Sequence, residues 1–280
     1  MSQKSYDNKN AVYLIPTPIG NLDDISYRIL EILKKVDVIF SEDTRVTNEL
    51  LKYFDIKKTL ISNHQYNEIQ NIEKAKNYLD EGKNIGIVTD RGTPIISDPG
   101  YPLTKSLIED GYKVIALPGP TAFVPALIVS GIDPQPFYFH GFLNSKETKR
   151  KKELEDLKNI KAALIFYEAP HRIEKTLLNI REILGNRKIS ISREITKKYE
   201  EIYRGKVDEV IEEIKGAKGE MVIIVDGNHS ENNYDNISII EHVNLYIKEG
   251  KEKKEAMKIV HKERNISKTD VYKEYLKEGE

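Results

Sequence analysis

Four loops in the first half of this 280-residue chain concentrate residue types that hold small ligands. They are Pro16-Thr17-Pro18-Ile19-Gly20-Asn21, Glu42-Asp43-Thr44-Arg45, Asp90-Arg91-Gly92-Thr93-Pro94 running on to Ser97-Asp98-Pro99-Gly100, and Leu117-Pro118-Gly119-Pro120-Thr121. Singly, each is ordinary punctuation of an α/β protein, since Gly and Pro turn the chain and an acid after a strand often only caps the next helix. Four such loops on one rim exceed what turns require. None carries G-x-G-x-x-G or G-x-x-x-x-G-K-[ST], which disfavours dinucleotide and triphosphate sites. A small cofactor lying against loop backbone fits better, with Asp90 accepting from a ribose or an ammonium group.

These loops need strands to hold them. Apolar runs at Val12–Pro16, Asp37–Ser41, Leu60–Ser62, Ile85–Thr89 and Val114–Leu117 read as strands. Helical periodicity fills 24–35, 45–54, 67–81, 102–110 and 121–130 between and after them. Such alternation predicts a parallel sheet covered by helices on both faces, with ligands beyond the carboxyl ends of its strands. Ile132-Asp133-Pro134-Gln135-Pro136 breaks the pattern and separates an N-terminal α/β domain, 1–131, from a second, 132–230. The second carries strand-like runs at 137–142, 163–168, 188–193 and 221–225, helices at 147–159 and 171–183, and an extended stretch at Tyr199–Val207 suited to a hairpin. It should be richer in antiparallel pairing. Asp226–Asn236 reads as a polar linker to a small helical appendix, 237–280.

Composition narrows the chemistry. Hydrophobic residues at 39% suffice for a core, and no apolar run reaches the roughly 18–20 residues of a membrane span. The polar start MSQKSYDNKN lacks a signal-peptide core, so the chain is expected to be cytoplasmic. It has no cysteine, which excludes disulfides, thiolate metal sites and a cysteine nucleophile. Its six histidines show no ligand spacing, and no structural metal is expected. Net charge is −1, so only local charge hints at nucleic acid. Residues 146–152 hold five cations against one anion, a run that a solvated helix face would also explain.

The segments YLIPTPIGNLDDIS, EDTR, DRGTPIISDPG, LPGPTA, FYEAPHR and SREITKKYEE, in that order, make residues 12–227 resemble the ribosomal RNA small-subunit methyltransferase I family, a branch of the tetrapyrrole-methylase superfamily. The resemblance implies two α/β domains with S-adenosylmethionine in the cleft between them. It also implies a homodimer, and methylation of a cytidine 2′-hydroxyl in 16S rRNA of the 30S subunit. Carried over by motif, the cofactor residues are Ile19, Asp90, Thr93, Thr121, Ala122, Tyr167, Glu168, Ala169 and Met221. The family usually reads D-A-G-T-P, and here Arg91 stands where the alanine would be.

Methyl transfer to an alcohol needs an electrophilic methyl, an in-line oxygen and removal of the hydroxyl proton. Glu42, Asp43, His171, and Glu194 with Lys197 are the candidate proton acceptors. Arg45, Lys149, Arg150, Arg172 and Arg193 are candidates for holding RNA phosphates. Structural readings compete: Glu42 or Asp43 as a helix cap, His171 as a packed side chain, Glu194 as an ion pair with Lys197. The absence of cysteine removes covalent pyrimidine C5 methylation and leaves oxygen or exocyclic nitrogen as acceptor. A tetrapyrrole methylase of the cobalamin or siroheme pathway and a non-catalytic RNA-binding or ribosome-assembly protein are the alternatives. In the appendix, Ser267-Lys-Thr-Asp270 resembles a capping box, and two of its helices have the proportions of a helix-turn-helix. Residues 241–280 carry nine Lys and one Arg against eight Glu and one Asp, a net of only +1. If the appendix helps dock rRNA, a chain truncated near Asn236 keeps its cofactor affinity but needs a higher concentration of 30S particles in a methylation assay. Unchanged dependence on 30S concentration would remove that docking role.

Overall fold

The computed structural model describes every residue except 1, 6, 8, 230–236, 265 and 278–280, and of residue 277 only the backbone. The chain divides into two compact units, Met1–Gly227 and Asn228–Glu280.

The first unit opens with five strands, β1 (Val12–Leu14), β2 (Val38–Ser41), β3 (Thr59–Ser62), β4 (Ile85–Val88) and β5 (Val114–Ala116). All neighbours pair in parallel, in the order β3-β2-β4-β1-β5. Parallel strands need crossovers, which helices α1 (Tyr27–Lys35), α2 (Thr44–Tyr53), α3 (Glu68–Asp80) and α4 (Tyr101–Glu109) provide. Every residue of β2 and β4 is buried, the signature of a sheet covered on both faces. One face packs Ile29 and Leu33 of α1 with Ile39 and Leu51, and the other packs Phe40, Ile87, Leu103 and Leu107. The first helix starts later than periodicity suggested. Asn21 caps a single 3₁₀ turn at Leu22–Asp24, and the Ser26 hydroxyl then accepts the Ile29 N–H to begin α1.

After α5 (Phe123–Val129), a second sheet forms from β6 (Phe137–Phe142), β7 (Ala163–Glu168), β8 (Lys188–Arg193), β9 (Glu201–Lys206) and β10 (Met221–Val225). Its order is β6-β7-β10-β8-β9; β6 runs parallel to β7 and every other pair is antiparallel. Alternate side chains take opposite faces. Leu164, Phe166, Ile189, Ile191 and Ile223 pack under α6 (Glu147–Leu157), α7 (Ile173–Leu184) and α8 (Val207–Glu213). Ala163, Ile165, Val222 and Ile224 meet Ala126 and Leu127 of α5 on the other face. The expected hairpin is β8–β9. Helix α8 is an addition: seven residues following β9 directly give too little periodicity to separate from the strand. A division of this unit at residues 131/132 follows the change of sheet and is proposed on that ground.

The second unit contains α9 (Ile239–Lys248), α10 (Lys253–Glu263) and α11 (Lys268–Lys277) around Val243, Ala256, Met257, Val260 and Val271. Ser238 and Glu241 form a capping box on α9, and the Ser267 hydroxyl accepts the Asp270 N–H at 3.1 Å. Residues 230–236 of the expected linker and Asn265 of the expected turn lie outside the described residues. Among the described residues no helix is long and apolar enough to cross a membrane.

Phe166 is fully buried at the centre of the larger core cluster. Phe166→Ala should destabilise the first unit by roughly 3–5 kcal/mol, read as a lower urea midpoint at unchanged slope.

Candidate active site

Because β1 and β4 lie side by side in parallel, their carboxyl ends bring the first and third loops together. Thr17 N–H donates to the Gly92 carbonyl at 2.9 Å, and Gly92 N–H returns a bond to Thr17 at 3.0 Å. Gly92 has φ +81°, a left-handed conformation in which a Cβ would also stand 3.2 Å from Ile19 Cγ2. Thr93 Oγ1 donates to the Pro120 carbonyl at 3.0 Å, tying in the fourth loop. Buried Glu68 of α3 accepts the Gly100 N–H at 2.8 Å and anchors the far end of the third loop.

A cavity of about 370 Å³ opens where these loops face the second sheet. Ile19, Thr93, Thr121 and Ala122 line it from one side, and Tyr167, Glu168, Ala169 and Met221 from the other. Eight of the nine residues expected at the cofactor thus meet. Ser192 Oγ also lies on this wall, buried and without a hydrogen-bond partner among the described residues. Burial lifts the Tyr167 phenol above its usual pKa, against bonds to Thr121 and the Phe123 backbone that favour ionisation.

Asp98, a member of the third loop that was not among the expected site residues, lines the same cavity. Burial is the main cause that pushes its carboxyl to about 6; the charges of Glu42 and Asp90 act in the same direction, opposed by a hydrogen bond with Thr89. An Asp before Pro-Gly reads as a turn residue, so its type was visible but its inward position was not.

Asp90 departs from expectation. It is not among the residues lining this cavity and instead borders a second one of about 300 Å³. Its Oδ1 accepts the Asp43 N–H at 2.9 Å, and burial, reinforced by nearby Glu42 and Asp43, raises its pKa. Glu42 Oε2 accepts Thr89 Oγ1 at 2.7 Å and the Asp90 N–H at 3.3 Å. Asp43 caps α2 through the Arg45 N–H and grips the Arg45 guanidinium at 2.6–3.0 Å, which holds its carboxyl near 2. The capping reading therefore describes Asp43.

Charge pairs cross the mouth. Arg91 reaches Glu220 at 2.9 Å, and Lys197 bridges Glu194 at 3.0 Å and Glu220 at 2.7 Å. Arg91 thus turns toward a carboxylate and leaves the interior open. The exposed Arg91–Glu220 pair contributes about 0–1 kcal/mol, too little to lock the mouth. Glu194 is partly buried, which alone would raise its pKa, but the Glu220 N–H and Lys197 outweigh that and lower it. Glu194 and Lys197 both line the cavity. Glu194 and Thr196 have φ of +52° and +67°, and Ile95 in the facing loop +81°, each costing roughly 1–3 kcal/mol.

The other expected residues lie elsewhere. Glu168 is only 2% exposed, and its carboxylate is filled by the Ala169 N–H, Arg172 and Thr176, so only its backbone is open to a ligand. Arg172 is held in that clamp, and His171 is exposed and absent from the cavity wall. Arg193 joins Glu201 across the β8–β9 pair. Arg150, expected at RNA, is a correction: it is 3% exposed, donates to Asn179 at 2.8 Å and to two backbone carbonyls, and cannot reach a phosphate. Helical periodicity turns it inward while Lys149 beside it stays exposed.

Residues 11–211 match the family described as Tetrapyrrole (Corrin/Porphyrin) Methylases, the class that this fold and cavity define. The methyltransferase CobJ aligns with a TM-score of 0.59 at 19% identity, covering 79% of this chain and 95% of that one. Uroporphyrin-III-C-methyltransferase from Thermus thermophilus aligns at 0.56 and 17%, covering 78% and 94%. Such identities speak for the fold alone. Proteins named ribosomal RNA small subunit methyltransferase I are nearer in sequence. That of Bacillus subtilis is 44% identical over 98% of this chain and 97% of its own, and that of Halalkalibacterium halodurans 44% over 99% of each. The chain belongs to the ribosomal RNA small subunit methyltransferase I family, within the tetrapyrrole methylases.

Asp98 binds its proton more tightly in the folded chain, about 6 against an ordinary 3.8. Its stabilising share is complete below the lower value and lost as pH rises through the upper one. Asp98→Asn should therefore flatten the fall in melting temperature between about pH 4 and pH 6, measured against the unaltered chain.

Proposed function

We propose that this protein transfers a methyl group from S-adenosylmethionine to the 2′-hydroxyl of a cytidine in 16S rRNA. The observation that carries the cofactor reading is the 370 Å³ cavity, where partly buried Asp98 and the unpartnered Ser192 hydroxyl stand on a wall whose open surface is mostly apolar. Asp98 suits a ribose or an ammonium group, Ser192 Oγ suits a further polar contact, and Ile19, Tyr167 and Met221 suit the adenine and its thioether neighbourhood. S-adenosylmethionine, when bound, supplies an electrophilic methyl on a sulfonium. The protein's own residues must then hold the acceptor hydroxyl in line and exclude water. Of the five proposed proton acceptors, Glu194 and Lys197 are the two at the cavity, and we assign hydroxyl positioning to that pair.

The near-full-length relatives are named for ribosomal RNA of the small subunit, which supports rRNA over a macrocycle. Exposed Arg45 and Lys149 are the proposed phosphate contacts. A homodimer is proposed on the exposed apolar residues Phe137 of edge strand β6 and Ile128 of α5.

Unmodified 30S subunits incubated with the protein and methyl-labelled cofactor should gain label at one linkage that resists alkaline hydrolysis, because that cleavage needs a free 2′-hydroxyl. A methylated base beside a free 2′-hydroxyl would refute the ribose assignment. Label transferred to a uroporphyrinogen-type substrate but not to 30S would favour the tetrapyrrole reading.

A further inference from the structure

The motifs PTPIGN and EDTR are barely used by the cofactor cavity, which takes only Ile19 from them. The PTPIGN loop converges with Asp90 and Arg91 on the second cavity of about 300 Å³, beside α2, the helix that EDTR opens. The two cavities share a thin partition. Arg91 lines both, and Lys197 of the first packs so closely on Gly20 of the second that a Cβ there would lie 2.5 Å from Lys197 Cγ.

We propose that this second cavity receives the base of the acceptor nucleotide and selects one with an exocyclic amine. The inference rests on the RNA reading above and adds to it the place where the base is read. Pro18, Val46, Leu50 and Tyr53 give the cavity apolar walls. Tyr53 is 65% exposed, so burial does not account for an aromatic ring there, whereas an open ring is a stacking surface for a splayed base. Glu49 and Asp90 on the same wall repel a phosphate, so the sugar–phosphate backbone stays outside, near exposed Arg91. Asp90 Oδ1 is occupied by the Asp43 N–H, while its second oxygen has no partner among the described residues. A carboxylate oxygen accepts from the N4 amine of cytosine and opposes the O4 carbonyl of uracil. A base seated there carries its own ribose to the partition, next to Glu194 and Lys197.

The test uses the full chain and 30S subunits reconstituted with transcribed 16S rRNA, once with the mapped target nucleotide as cytidine and once as uridine. If the unaltered protein labels neither, the RNA reading fails before this one is reached. Otherwise it should prefer cytidine by roughly tenfold or more, and Asp90→Asn, whose amide can turn a donor toward O4, should bring the ratio close to one. Tyr53→Ala should raise KM for 30S by about tenfold, with Tyr53→Phe restoring it. Calorimetric affinity for S-adenosylmethionine should be unchanged in all three variants. An unaltered base preference in Asp90→Asn, an unaltered KM in Tyr53→Ala, or a loss of cofactor affinity in either overturns the proposal.

Discussion

Two backbone hydrogen bonds between Thr17 and Gly92 hold together loops that would otherwise leave adjacent strands independently. They form because β1 and β4 end at the same level in a parallel sheet, so the next residues of each chain face one another. Loops on a protein surface are mobile by default, and a ligand bound between mobile loops must be ordered at a cost in entropy. Here that ordering is done in advance. With Thr93 tied to Pro120 and Gly100 tied to Glu68, three of the four polar loops become one rigid rim. The strained backbone at Ile95, Glu194 and Thr196 persists only because its surroundings are so constrained.

The second sheet supplies the other wall by register. Met221 pairs with Glu168 on one side and Arg193 on the other, so β7, β8 and β10 bring three separate motifs to one point. Ala169 follows Glu168, and Glu194 follows Arg193, which places both at the cavity. Glu168 contributes by clamping Arg172 and Thr176 beneath the turn. Gly219 is needed at the opposite edge, since a Cβ there would stand 2.5 Å from Glu194 Cγ.

The charge layout separates two tasks. Acids concentrate around Thr89, where partial burial and the charge of Glu42 raise the cost of ionising Asp90 and Asp98. Such a region favours cationic or amine-bearing ligands over phosphates. The mouth carries the exposed pair Arg91–Glu220, which water screens strongly, and Lys197–Glu220, of which only Glu220 is exposed. Arg91 can exchange its partner at little cost when an anionic polymer arrives.

The strand–helix alternation of the first half, the change of pattern near residue 131 and the helical appendix were all legible in the sequence, because period-2 and period-3.6 burial leave direct marks on residue order. Loop chemistry was equally legible, since Gly, Pro and acids at strand ends are local requirements. Sidedness was not. Arg150 and Lys149 are neighbours in one basic run, yet one is buried against Asn179 and the other faces solvent. Asp90 and Asp98 belong to one loop, yet they serve different cavities. A sequence lists which groups a loop carries, but the direction of each side chain depends on backbone pairs such as Thr17–Gly92 and on registers such as Met221–Glu168. Those contacts join residues far apart in the chain, so only the tertiary structure decided them.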